Sequence, residues 1–191
     1  MSPTAVPDQS CFLIIDPSEN NLKTLPANLR EKTRIRFANL DDAADLARIP
    51  RYFSTCDPTI DPSSWMSRPC EKTRKRIFDS PITESVWRNS DLAAAIKSEQ
   101  RDRLIVCGFW LDVDLASVAM DAYVDGFDVH VLTDLVFSRH MEDHDDALSR
   151  LTQMGIVPIT TCQLLHEWIS WTSDVERSNR LQAVLDEIVQ N

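Results

Sequence analysis

The sequence has no stretch apolar for long enough to cross a bilayer. Its first eight residues, Met1 to Asp8, are polar and contain proline, without the apolar centre of a secretory signal. Positive charge is also scarce: 20 Lys and Arg stand against 30 Asp and Glu, a net charge of -10. That balance excludes the basic face a phosphate-backbone partner needs, so neither nucleic acid nor membrane is expected as a partner. The one strongly basic run, Glu71 to Arg76, reads as a solvated loop. Among the cysteines (Cys11, Cys56, Cys70, Cys107 and Cys162) there is no CxxC pair, and the number is odd. Cys11 and Cys107 sit inside apolar runs, where a thiol behaves as a small hydrophobe. A disulfide framework is therefore not expected, and the setting implied is reducing and cytoplasmic. No internal repeat is evident.

What the sequence does contain is an ordinary globular balance, 43% apolar and 26% charged, on a chain long enough for one sizeable core. Short β-type runs alternate with amphipathic helical stretches. Cys11 to Ile15 is an apolar strand ending at Asp16. A helix follows, with Ile35, Leu40, Ala43, Leu46 and Ala47 expected on one face. Arg51 to Ser54 is a second strand. Residues 57–75 read as an irregular loop, because Pro58, Pro62 and Pro69 forbid regular structure over much of it. Ser90 and Asp91 cap a helix through Leu92, Ala95 and Ile96. Leu104 to Phe109 is apolar without alternation, as in a strand covered on both faces.

A helix from about Asp114 to Val124 then stops at Gly126, and Asp128 to Leu132 is a strand ending at Thr133 and Asp134. Next come a helix ending near Gly155, a strand over Val157 to Ile159, and a C-terminal helical region over 162–191. This rhythm predicts an α/β fold in three layers, α-β-α, around a central, mostly parallel sheet. One domain is expected over 1–191, with 1–9 flexible.

In such sheets ligands bind beyond the carboxyl ends of the strands. That rule singles out Asp16, the segment after Gly108, and Asp134. For Asp134, capping or turn formation competes with a functional role. Asp16, partly buried at the end of a central strand, needs a partner.

Leu13-Ile14-Ile15-Asp16 resembles the opening strand and catalytic aspartate of the isochorismatase-like hydrolases. Cys107 to Asp114 resembles that family's nucleophile segment, and Asp121 to Asp134 the helix, glycine and strand that follow it. Pro81, Ser85-Val86-Trp87 and Asn89-Ser90-Asp91 echo a segment of the YcaC-type hydrolases within the family. The resemblance covers roughly residues 10 to 170 and implies the isochorismatase-like, Rossmann-like fold.

The resemblance also implies a chemistry. In the family a cysteine thiolate attacks an amide or related carbon, the aspartate carries the proton, and a lysine or arginine supports both. Backbone N–H groups after the glycine stabilise the oxyanion, around a cis peptide. Of these groups Asp16 stands unchanged. The nucleophile position falls on Asp114, and the basic position, just before Pro81, falls on Ser80, with Lys75 and Arg76 nearby in sequence. Phe109, Trp110, Asp112 and Trp87 are the substrate-binding positions implied. Trp110, Trp65 and Trp87 suit pocket walls, although core packing explains an aromatic equally well.

A carboxylate is a poor nucleophile toward an amide, and its charge opposes an oxyanion. Two carboxyls in one pocket also tend to share a proton. Two functions follow as expectations. One is a member of the fold without cysteine-type amidase chemistry, a pseudoenzyme keeping a small-molecule pocket or a structural subunit role. The other is a non-cysteine hydrolase using Asp16, with Asp114, as general acid on an isochorismate-like vinyl ether.

No cofactor is expected. His140 and His144 are four apart on an expected helix among acidic residues, but without the HExxH arrangement they suit a solvated helix start better than a metal site. Family analogy implies a homo-oligomer, with the proline-rich loop and the Trp-rich C-terminal region (Trp168, Trp171, beside His166) as candidate interfaces.

Overall fold

A computed structural model describes residues 4–69, 76–79, 85–88 and 90–190, with the side chain of Ser90 left aside. Among the described residues six strands make one parallel sheet: β1 (Ser10–Ile15), β2 (Arg51–Thr55), β3 (Ile77–Asp79), β4 (Arg103–Phe109), β5 (Asp128–Phe137) and β6 (Val157–Ile159). They are ordered β3-β2-β1-β4-β5-β6. β1 and β4 are adjacent and buried at every residue, which is why both read as unbroken apolar runs. The helices are α1 (Glu19–Thr24), α2 (Ala27–Ala47), α3 (Ser90–Ser98), α4 (Ala116–Val124), α5 (His144–Gln153), α6 (Thr161–Trp171) and α7 (Val175–Gln190).

α2, α6 and α7 pack together as one layer, while α4 and α5 pack together in the other. From β1 the chain moves outward to β2 in one direction, and from β4 to β5 in the opposite direction. The reversal leaves a crevice at the carboxyl ends of β1 and β4, where doubly wound sheets take their ligands.

Local sequence accounts for most of these elements. α2 begins after Pro26, buries Thr33, Phe37, Leu40, Ala44 and Ala47 at helical spacing, and ends where Arg48 turns left-handed. Its buried face is rotated from the expected one: Ile35 and Leu46 are only partly covered, and Phe37 takes the central place. α6 starts with a reciprocal capping box of Thr160 and Gln163. Gly108 (φ +118°) is needed because a Cβ there would fall 2.0 Å from the carbonyl oxygen of Ile15, its partner on β1.

The structure corrects two expectations, the end of β5 and the place of His140, and adds two features to the rest. The short edge strand β3 follows the basic stretch that read as loop, and adds to β2 through Phe53, Ser54 and Thr55. β5 does not stop at Leu132 but continues to Phe137. It does so because the pairing with β4 jumps from Val106–Val131 to Gly108–Val136, so extra residues bulge out of β5. The proline-rich loop is not wholly exposed: Trp65 is buried against Phe53 (ring centroids 5.8 Å apart) and bridges to Ser18, and Met66 is buried beside it. Finally, His140 precedes α5 rather than lying within it, so His140 and His144 share no helical face.

In the C-terminal region Trp168 packs edge-on against Phe12 in the core, whereas Trp171 and His166 are exposed. Among the described residues no helix is long and apolar enough to cross a membrane.

Candidate active site

Asp16 ends β1 in a left-handed conformation (φ 46°) that non-glycine residues rarely adopt. Its surroundings fix it there. Its N–H donates to the Ser54 carbonyl (2.8 Å), and its own carbonyl accepts from Ser18 N–H (2.7 Å) and Asn21 Nδ2 (2.9 Å). The buried side chain accepts from the N–H of Cys56 (2.8 Å), the residue following β2. Two parallel strands thus hold one carboxyl at the mouth of the crevice.

The opposite wall follows β4. The peptide bond between Phe109 and Trp110 is cis, at the place the resemblance implies. Leu111–Leu115 forms a π-helical turn that leads into α4 and carries Asp114, half-buried. Burial, then the negative charge of Asp16, raises the Asp114 carboxyl above the ordinary carboxylate range, and Arg139 opposes the shift. The two expected carboxyls therefore do meet electrostatically.

A thiol joins them. Cys56 lies within hydrogen-bonding reach of the Asp16 carboxyl, and desolvation of the sulfur, that bond, and the charges of Asp16 and Asp114 push it up to about 12. At neutral pH it is a protonated thiol held against the Asp16 carboxyl. Cys107, the cysteine nearest to position 114 in sequence, is fully buried in β4, and burial pushes its thiol well above the ordinary value. It has no access to a ligand.

The other expected residues divide. Trp110 is buried except for an edge, and the Arg139 guanidinium lies 5.7 Å from its ring centroid. Asp112 accepts from the N–H groups of Arg139 (2.9 Å) and His140 (3.3 Å), tying the turn after β4 to the end of β5. Burial pushes its carboxyl up, but these bonds and the His140 ring together hold it below the usual range.

The Phe109 side chain points into the core, stacked on Phe137. Trp87 lies apart from this group, edge-on to Phe127, with its Nε1 donating to Asp125 (2.8 Å). Ser80, Pro81 and Lys75 lie outside the described residues. Arg76 does not serve the site: it pairs with Glu99 (2.8 Å) and lies over the Tyr52 ring. Asp134 has a structural role, accepting from Thr161 N–H (2.9 Å) and pairing with Arg36 (3.4 Å).

Asp112, His140 and Asp143 are the group of possible metal ligands among the described residues, with ligand atoms within 4.8 Å of one another. His140 and Asp143 are exposed, and Asp112 already accepts two N–H groups. His144 is elsewhere, its Nδ1 3.0 Å from Ser138 Oγ.

Sequence reasoning missed Cys56 and Arg139 as members of the site. Cys56 had a signal, since it follows a strand at the same end of the sheet as Asp16. Arg139 had none, because its approach depends on the extended β5.

Beyond these residues lies an open pocket of about 430 Å³, lined by Thr24, Leu25 and Pro26 after α1, by Trp110, and by Ser138, Arg139 and Met141 after β5. A larger cleft of about 710 Å³ lies away from the crevice, between α2 and α7. It is lined by acids and arginines of both helices, among them Asp42, Arg48, Asp174 and Arg177. That surface lacks the convergence of strand ends at which sheets of this kind take their ligands.

The fold has close counterparts. The structure matches YcaC from Pseudomonas aeruginosa, in complex with hexane-2,5-diol and covalent acrylamide, with a TM-score of 0.79. Identity is 19%, with 100% of this chain and 97% of the other covered. It matches the Escherichia coli YcaC protein, described as an octameric hydrolase of unknown specificity, with a TM-score of 0.79 at 20% identity over 100% and 95% of the two chains. In sequence it is 28% identical over 136 residues to the probable hydrolase YcaC of Escherichia coli strain K12, 64% of each chain. The alignment thus spans just under two thirds of that relative's length. The isochorismatase domain model matches residues 10–163. The chain belongs to the isochorismatase domain family of hydrolases.

Proposed function

We propose that this family member keeps the small-molecule crevice but has given up cysteine-nucleophile amidase chemistry. The observation that carries the reading is Asp114 at the nucleophile position, its proton affinity raised by burial and by Asp16. An oxyanion forming beside those two carboxyls would be repelled by them, and a protonated carboxyl is no nucleophile. Cys56 does not supply a thiolate at neutral pH, because desolvation first, and then the same carboxyls, keep it protonated.

The octamer described for Escherichia coli YcaC supports a homo-oligomer here. The exposed Trp171 at the end of α6 is a candidate contact. Four described cysteines are free thiols, which suits a reducing, cytoplasmic setting.

The test compares the wild type with Asp16→Ala and Asp114→Cys on small amides such as nicotinamide. Wild-type turnover no higher than that of Asp16→Ala is the expected outcome. Amide turnover in the wild type that Asp16→Ala abolishes overturns the reading.

The raised proton affinity of Asp114 favours a second reading, acid catalysis on an isochorismate-like vinyl ether. One carboxyl of the pair protonates the enol carbon, water adds to the resulting oxocarbenium carbon, and the hemiketal collapses to a ketone and an alcohol. A proton held by a group of raised pKa is present at low pH and lost as pH rises through that value. Isochorismate consumption is therefore highest in acid and falls toward alkaline pH, and Asp114→Asn removes that dependence. A rate independent of pH, or unaffected by Asp16→Ala, excludes this reading.

A further inference from the structure

We infer that Arg139 and Trp110 form a carboxylate-binding subsite, so that the crevice takes a small organic anion with a planar apolar body. The inference rests on the small-molecule reading above but not on any catalytic step. Its basis is an open pocket of about 430 Å³, of a size that holds a small ligand, lined by Trp110, which leads into the turn carrying Asp114, and by Arg139, whose charge acts on Asp114.

Within it the guanidinium of Arg139 lies over the indole of Trp110, 5.7 Å from the ring centroid. That contact orients the planar fork of donors without consuming them. Arg139 makes no ion pair with any described residue. Its neighbour Asp112 is engaged by N–H groups of the chain, one of them Arg139's own. The fork is thus free to bind a carboxylate through two parallel hydrogen bonds.

The walls indicate the rest of the ligand. Leu25 is buried, Pro26 follows it, and Met141 is 64% exposed at the rim, a flexible apolar side chain able to close over a flat body. Orientation follows from charge. Asp16, Asp112 and Asp114 make the crevice acidic, on a chain whose net charge is already -10. An anion is repelled by them except where Arg139 reverses the local sign. The carboxylate therefore lies outward against Arg139, and the uncharged end faces Asp16 and Asp114.

Isothermal titration of the full chain with benzoate, with benzamide as its neutral isostere, and with inorganic phosphate tests this. Benzoate is expected to bind at least roughly tenfold tighter than benzamide, the ratio a charged, two-point hydrogen bond supports. Phosphate is expected to bind more weakly than benzoate, for want of an apolar body. Arg139→Gln should erase the preference of benzoate over benzamide, Arg139→Lys should keep part of it, and Trp110→Leu should weaken both ligands.

Arg139 is exposed, so its variants fold, as far-UV circular dichroism will verify. Equal affinity for benzoate and benzamide, benzoate binding unchanged in Arg139→Gln, phosphate binding as tightly as benzoate, or no binding of any probe each overturns the inference. These titrations read binding alone. Absent isochorismate turnover with benzoate binding intact defeats the acid-catalysis reading and leaves the subsite standing.

Discussion

Two acidic clusters flank β2, and their difference separates structure from function. At the amino end of the strand, Asp41 and Asp45 of α2 share Arg51, with contacts of 2.9 and 2.8 Å, and the arginine is 2% exposed. Ser67 Oγ and Arg68 N–H also donate to the Asp41 carboxyl, at 2.6 and 2.8 Å. At the carboxyl end, Asp16 is more buried than either of those acids, yet it is held by a backbone N–H and a thiol, with no ion pair to a described residue. The first cluster is closed around the Arg51 guanidinium, which Asp41 meets inside the protein and the largely exposed Asp45 meets from the surface. The second brings the Asp16 and Asp114 carboxyls together with no such buried cation among the described residues, and it stays open to a ligand.

Breaking the closed cluster has the largest expected effect. Arg51→Met strands Asp41 and should cost about 3–5 kcal/mol in urea unfolding, as does removal of one partner of a buried pair. Asp16→Asn, whose amide oxygen can still accept from Cys56 N–H, should cost less than about 1 kcal/mol. Similar costs for the two would erase the distinction.

The closed cluster also carries a pH signature. Burial, opposed by Arg51, raises the Asp41 carboxyl to about 6 from its ordinary 3.8. The folded protein therefore holds this proton more tightly than the unfolded chain. The stability it contributes is complete below about pH 4 and is lost as pH rises toward about 6, on the order of 3 kcal/mol. Unfolding curves across that range should show the loss in the wild type but not in Asp41→Asn.

In the open cluster the smaller effect is on reactivity. Desolvation first, then Asp16 as hydrogen-bond acceptor and charge, hold Cys56 near 12; Asp16→Asn removes the second part, so the thiol pKa falls. Alkylation by iodoacetamide at pH 8, with Cys56→Ser as blank, should accelerate by roughly tenfold per unit of that fall. An unchanged rate would mean that Asp16 does not govern the thiol.

The sheet was legible in the sequence because its two central strands are covered on both faces and show it as unbroken apolar runs. β3 was not, since three residues on an edge carry no period. The far end of β5 was masked by Thr133 and Asp134, which read as a turn. In the structure Arg36 and Thr161 satisfy Asp134, so the strand runs on. For the site, Asp16 and Asp114 were legible as strand-end positions. Cys56 and Arg139 were less so, because their place beside Asp114 depends on strand order and on the bulge in β5. Trp87 shows the converse: a side chain that suits a pocket wall can equally close a core.

The irregular pairing of β4 with β5 sets a rule for redesign. Side chains alternate faces along a strand, so one residue inserted between Val131 and Val136 would turn Val136 and Phe137 over and undo the stack on Phe109. Two residues inserted there keep that parity. With Val136 and Phe137 still paired to Gly108 and Phe109, each such pair adds about 7 Å of chain to the bulge and leaves Arg139 where it stands. The stretch thus behaves as a reading frame with a period of two, in which the bulge can grow while the core and the binding arm beyond it keep their places.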